Sequence, residues 1–166
     1  MMNIHPLDNS HAEAYRQLRL EALAQYPEAF ASSYEEEQAW PLDRFAHRLG
    51  TEGRVTLGAW LEQELIGSVT LIPQSKTKLS HRANIVAMYV KPEQRGSGIG
   101  RRLMEEAIAQ ARRTGVIEQL YLSVMAHNEP AKRLYMALGF EAYGKDWRAL
   151  KIDNTYHDEE LMVLFL

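Results

Sequence analysis

The residues from Gln94 to Gly100, QRGSGIG, follow an apolar run from Ile85 to Val90, IVAMYV, and open a helical pattern that continues to Arg113. A glycine-rich turn between a strand and a helix is a phosphate site in waiting. Glycines at 96, 98 and 100 let the backbone approach a ligand without Cβ atoms and leave N–H groups pointing outward at the helix start. Those donors, with the positive end of the helix dipole, favour an anion. Arg95 inside the loop and Arg101 and Arg102 after it add positive charge suited to a pyrophosphate. Read as a short pattern, the same stretch is also compatible with an ordinary tight turn.

Spacing decides which nucleotide the loop suits. A dinucleotide fingerprint reads GxGxxG and a P-loop reads GxxxxGK followed by Ser or Thr; this loop is neither. A second block lies some thirty residues on: from Leu120 the chain reads LYLSVMAHNEPAKRLYMALGFEAYG, an apolar strand, a polar break, a helix closed by Gly139, and a further strand.

The two blocks together resemble the GCN5-related N-acetyltransferase (GNAT) family. The acyl-CoA loop of that family is Arg or Gln, two residues, Gly, one residue, then Gly or Ala, and Arg95, Gly98 and Gly100 match each specified position. Asn128, Tyr135, Gly139 and Phe140 fall on the positions of the next family segment. The resemblance is strong from about Ile85 to Tyr143 and looser on both sides. It implies an α/β (α+β) fold with a mixed central sheet of about seven strands flanked by about four helices, and transfer of an acetyl group from acetyl-CoA, as cosubstrate, to a primary amine.

The rest of the chain agrees with a single domain over residues 1–166. A chain of 166 residues buries roughly 68–70% of its unfolded surface, enough for one sizeable core. A net charge of −3 gives no footprint for nucleic acid. Arg112 and Arg113 read as cations at a helix C-terminus. The absence of cysteine excludes disulfides, thiolate ligands and a cysteine nucleophile. The six histidines show no metal spacing, so no metal is expected. The N-terminus lacks a secretory pattern and no run reaches the roughly 20 apolar residues of a membrane span, which makes a cytoplasmic protein the expectation.

Periodicity predicts a strand over Met2–Leu7, a helix ending before Pro27, and a second helical region over Phe30–Leu49 interrupted near Pro41. It then predicts a hairpin of Val55–Leu61 with Leu65–Ile72, a loop over Gln74–Arg82, and a strand over Ala83–Val90 buried on both faces. The helix after the loop carries Leu103, Ala107, Ile108 and Ala111 as its core stripe and stops at Gly115. After the second block come a strand from Phe140, a bent polar hairpin around Lys151–Asp158, and a last strand, LMVLFL.

The resemblance also assigns roles. Pantetheine would lie along Met88, Tyr89 and Val90, with an N–H freed near Met88 or Tyr89 by a strand irregularity facing the thioester oxygen. The pyrophosphate would sit on Arg95, Gly96, Ser97, Gly98, Ile99, Gly100 and Arg101. Tyr135 matches the family acid for the departing thiolate, although by pattern alone it is a packing residue of its helix. Asn128 either binds the pantetheine amides or caps the helix beginning near Pro130, or does both. A lysine-like amine has a pKa near 10.4, so something must take its proton; Glu35, Glu36, Glu37, His81 and His127, directly or through water, are the candidates. Expected partners are a small-molecule amine and, in an oligomer, a second copy of the chain, with neither nucleic acid nor membrane. A protein N-terminus or lysine as acceptor, and a non-catalytic acyl-CoA sensor, are the competing readings.

Overall fold

A computed structural model describes all residues, 1–166. The strands are β1 (Met2–Pro6), β2 (Val55–Leu61), β3 (Glu64–Pro73), β4 (Arg82–Val90), β5 (Gln119–Met125), β6 (Glu141–Ile152) and β7 (Thr155–Phe165). The helices are α1 (Ala12–Gln25), α2 (Tyr34–Gln38), α3 (Leu42–Gly50), α4 (Ile99–Arg113) and α5 (Glu129–Ala137). No helix is long and apolar enough to cross a membrane.

All seven strands form one sheet in the order β1-β2-β3-β4-β5-β7-β6. Every neighbouring pair is antiparallel except β4 with β5, which is parallel. Successive side chains of a strand point to opposite faces, and the sheet uses both. Ile66, Val69 and Val90 join Leu103, Met104, Ala107 and Phe140 in one core. Leu65 and Tyr89 join Tyr15, Leu18, Leu23 and Phe45 in the other. Thus α1 to α3 cover one face and α4 and α5 the other.

Helix boundaries fall where their local chemistry puts them. Proline at position 27 stops α1 after Gln25, and the predicted second helical region divides into α2 and α3 at Pro41. Ser33 starts α2 as a capping box: its hydroxyl accepts from the Glu36 N–H at 3.1 Å and Glu36 accepts from the Ser33 N–H at 2.9 Å, satisfying two orphan donors.

The polar hairpin expected around Lys151–Asp158 is the tip of one long ribbon, in which β6 and β7 pair antiparallel and turn at Asp153 and Asn154. Its strands alternate polar residues because β6 is an exposed edge, and a bulge at Arg148, whose φ is +55°, is tied down by the Arg148 N–H donating to Asp158 Oδ1 at 2.8 Å. One expectation is corrected: strand β4 is not buried on both faces, and Val86 is 37% exposed, because β5 leaves its side.

The helices over one face are tied by a buried charge. Glu37 is fully buried and accepts two hydrogen bonds from Arg19, from Nε at 3.0 Å and Nη2 at 2.8 Å, while Arg48 Nη1 lies 3.6 Å away. Burial pushes its carboxyl up, but the hydrogen bonds and charge of Arg19, helped by Arg48, prevail and hold it below its ordinary value. Removing one partner of such a group strands the others. Glu37→Ala should therefore cost about 3–5 kcal/mol of stability, read by urea denaturation. A depressed folded pKa makes this contribution complete above the unfolded value of 4.5 and lost as pH falls through the folded one, so the gap between wild type and variant should narrow on acidification.

Candidate active site

Strands β4 and β5 pair only where Arg82, Ala83 and Asn84 face Gln119, Leu120 and Tyr121. Beyond Asn84 they part. Strand β5 continues against β7 as far as Met125 opposite Glu159, while β4 stays with β3 and kinks. Val86 pairs with Thr70 and Tyr89 with Ser68, so Ala87 and Met88 together face the single residue Val69. This is a bulge, which adds a residue, bends the strand and increases its twist. Ala87 carries the strain, with φ at +55°. The expected irregularity thus lies at Ala87 and Met88.

The parting opens a cavity of about 90 Å³, walled by Val86, Ala87 and Met88 on one side, Leu122 to Met125 on the other, and Asn128, Ala131 and Tyr135 beyond. Glu28 and Glu159 complete the wall. Three residues singled out in the sequence, Met88, Asn128 and Tyr135, therefore meet in one place.

The glycine loop stands at the end of β4. Gly96 and Gly98 have φ of +81° and +84°, and Gly98 is the residue that starts α4; this left-handed backbone is open to glycine at no steric cost. None of the six N–H groups from Gly96 to Arg101 donates a hydrogen bond within the chain. Six unclaimed donors at the start of a 15-residue helix form an anion cradle by geometry and by dipole. Gly100 ties this cradle to the cavity: a Cβ there would lie 3.2 Å from Met88 Cε. Ser97 braces the turn by donating to the Gln94 carbonyl at 2.6 Å, and Ile99 is buried in the core.

The arginines do not act together. The Arg95 guanidinium turns inward, donating to the Val90 carbonyl at 3.0 Å and to the Tyr26 hydroxyl at 3.1 Å while lying 4.6 Å from the Tyr26 ring centre. It fastens the loop to the end of α1. Arg101 pairs with Glu105 at 2.8 Å, and Arg102 is exposed. Tyr89 and Val90 lie on opposite faces, Tyr89 donating to Glu21 Oε2 at 3.1 Å in the α1 core and Val90 packing beneath α4.

Tyr135 is buried edge-on to Phe140, with ring centres 6.0 Å apart, and its hydroxyl has no hydrogen-bond partner in the chain. Burial alone pushes its phenol up to about 12. Asn128 caps α5, its Oδ1 accepting from the Ala131 N–H at 3.3 Å, which leaves its amide nitrogen uncommitted. The packing and capping readings of these residues both hold, and neither engages the Tyr135 hydroxyl or the Asn128 amide nitrogen.

The expected proton acceptors scatter. Glu37 is locked in its ion cluster, and Glu36 is consumed as a cap whose bonds from the Ser33 N–H and hydroxyl hold its carboxyl low. His81 precedes β4 at the paired end, its carbonyl accepting from the Glu118 and Gln119 N–H groups; six residues of strand, about 20 Å at 3.3 Å each, separate it from the bulge. His127 is exposed in the turn after β5. Glu35 lines a larger cleft of about 710 Å³ between α1, the start of α2 and the tip of the β6–β7 ribbon. The turn Pro27–Ala29 stands between the two spaces, Glu28 and Ala29 facing the small one and Pro27 the large one. The carboxylates that do reach the cavity, Glu28 and Glu159, gave no signal in the sequence, where Glu159 is one acid among several in an alternating polar strand.

Residues 15–140 match the family model described as the acetyltransferase (GNAT) family. The chain is 31% identical over 115 residues to an uncharacterized protein of Mycobacterium leprae, a match that takes in 67% of this chain but only 30% of that protein's length. It is 30% identical over 119 residues, 72% of each chain, to the N-alpha-acetyltransferase RimI of Mycobacterium tuberculosis. It is 25% identical over 156 residues, 92% of this chain and 93% of the other, to the L-amino acid N-acetyltransferase AaaT of Escherichia coli. The fold is shared with a GNAT acetyltransferase of Streptococcus pneumoniae, at a TM-score of 0.85, 21% identity and complete coverage of both chains. It is shared as well with yncA of Salmonella typhimurium, solved with acetyl-CoA, at 0.84 and 22% identity over 100% of this chain and 94% of that one.

Bulk at the cradle should abolish its use. Replacing Gly98 and Gly100 with valine places side chains where a phosphate would approach the N–H groups, forces a left-handed backbone on a β-branched residue and presses on Met88. CoA affinity measured by calorimetry should fall at least about tenfold, roughly the worth of one charge-assisted hydrogen bond. NAD and ATP should compete poorly with CoA in wild type, since neither nucleotide fingerprint is present.

Proposed function

The chain belongs to the GNAT acetyltransferase family and uses acetyl-CoA as cosubstrate for N-acetylation, and we propose that its acceptor is the primary amine of a small molecule of amino-acid size. The observation that carries this reading is the cleft of about 710 Å³ beside the acetyl-transfer cavity, a size in the range of about 300–1,000 Å³ usual for small-ligand sites. Its wall mixes the apolar Leu23, Pro27 and Phe30 with Ser32, Ser33, Glu35, Lys151 and Asp153. Such a surface can hold an aliphatic or aromatic side chain while charges of both signs meet a zwitterion. The similarity to an L-amino acid N-acetyltransferase over nearly the whole of both chains supports the same class. A protein N-terminus is the second reading, favoured by the similarity to RimI. The expected setting is the cytoplasm.

In this reading the pyrophosphate rests on the N–H groups from Gly96 to Arg101, and pantetheine takes the β4 edge that β5 vacates, along Met88 to Val90. The freed backbone at the bulge faces the thioester oxygen; losing one such donor typically costs about 10² to 10³ in rate. Asn128 offers its amide nitrogen to the pantetheine amides while its oxygen keeps the cap. Arg95 contributes as the brace that sets the loop. Tyr135 gives its proton to the departing CoA sulfur. Burial keeps the phenol neutral until that step, and the same burial raises the basicity of a thiolate formed beside it, since a charge is disfavoured wherever it appears in such a site.

Tyr135→Phe keeps the ring and its packing and removes the proton. General acid catalysis is worth about 10² to 10⁴, so turnover should fall at least about tenfold with acetyl-CoA affinity almost unchanged, because the lost interaction belongs to the transition state. An acceptor panel of free L-amino acids, polyamines and peptides with free N-termini, followed by thiol release, tests the acceptor class: the amino acids should be turned over fastest. Preference for the peptides would overturn it.

A further inference from the structure

The amine reaches the transfer site protonated, and none of the acids or histidines legible in the sequence stands in the cavity. Glu159 does. Its register places it on β7 directly opposite Met125, the last residue of β5, and it shares the cavity wall with Met88 and Tyr135. Its neighbours on the strand are engaged, Asp158 with Lys145 at 3.9 Å and Glu160 with Lys132 at 2.8 Å. Glu159 itself forms no ion pair and so remains available.

Resting on the acetyl-transfer reading above, we propose that the Glu159 carboxylate takes the proton of the incoming amine. The ammonium of the acceptor gives one proton to Glu159, and the freed lone pair forms a C–N bond to the thioester carbonyl carbon. The C–S bond breaks with its electron pair on sulfur, Tyr135 protonates the sulfur, and the amide nitrogen sheds its second proton to solvent. The proton on Glu159 leaves to water and the Tyr135 phenolate regains one, so each turnover ends with the enzyme unchanged.

The surroundings make this carboxylate a stronger base than an ordinary one. Burial, and then the negative charge of Asp146, its cross-strand partner on β6, raise the Glu159 carboxyl above its ordinary value. Other groups facing the cavity are Glu28 from the turn after α1 and the Tyr135 phenol from α5; no cation faces it. A proton acceptor with a raised pKa strips an ammonium more readily than an ordinary carboxylate does, and an anionic wall also attracts the ammonium before transfer.

The test is the pH profile of kcat/KM with acetyl-CoA and whichever amine of the acceptor panel is turned over fastest. Glu159→Gln should bind acetyl-CoA as wild type does by calorimetry, lose at least about tenfold in kcat, and lose the acidic limb that reports the carboxylate. Asp146→Asn should move that limb to lower pH, because removing a neighbouring negative charge stabilises the ionised form; a merely structural role for Glu159 would not produce this shift. An intact acidic limb in Glu159→Gln, or its loss in Glu28→Gln instead, overturns the proposal. A wild type silent on every amine overturns the acceptor reading and this role with it, an outcome distinct from an active enzyme indifferent to Glu159.

Discussion

The parting of β4 from β5 is the constraint on which the rest of the molecule depends. Parallel neighbours in the middle of a sheet ordinarily pair along their length, because an unpaired backbone group away from water costs about as much as a lost hydrogen bond. Here pairing stops at Asn84, and the bulge at Ala87 turns β4 away. The edge this exposes is lined by α5 rather than by another strand, so it offers its donors and acceptors to an extended ligand. Every element of the proposed site follows from that separation: the vacated edge, the freed backbone at Met88, the cavity that Tyr135 looks into, and the approach of β7 to the end of β5.

Such an opening needs support from both faces, and the two cores provide it by different means. On the α4 side the support is apolar packing, with the first helical turn anchored through Ile99 and held against Met88 by the absence of a side chain at Gly100. On the α1 side it is electrostatic. Glu37 gathers Arg19 and Arg48, and so joins α1, α2 and α3. Arg95 reaches from the glycine loop to Tyr26 at the end of α1, and Tyr89 joins β4 to Glu21. A buried ion cluster of this kind adds little stability over an apolar one of equal volume, but it is costly to break and has one geometry. Arg19 also lies 4.8 Å from the ring centre of Phe30, which follows the turn at Pro27–Ala29, and that turn divides the smaller cavity from the larger cleft.

How far the site could be read in advance depended on how local its physics is. The glycine loop and the Asn128 to Phe140 segment were legible because a cap, a left-handed glycine and a strand-to-helix turn are determined within a few residues. Glu36 and Glu37 illustrate the limit: adjacent in one acidic run, the first became a cap, as its spacing from Ser33 allows, and the second the buried centre of an ion cluster, which nothing in the run foretells. Arg95 matched the family loop, yet its guanidinium serves α1. Glu159 could not be singled out, since its position depends on three strands brought into register from distant parts of the chain.

By itself, then, the order of residues determined most of the elements, the left-handed glycine turn before α4 and the class of chemistry, because these rest on backbone conformations and side-chain types set by near neighbours. Tertiary structure alone decided where β4 bulges, which acids are buried, capped or left free, and that a carboxylate of the penultimate residues of β7's polar run meets Tyr135 across a cavity. Those outcomes depend on burial and on charges from elsewhere in the fold, and desolvation has no value for a residue until the chain has closed around it.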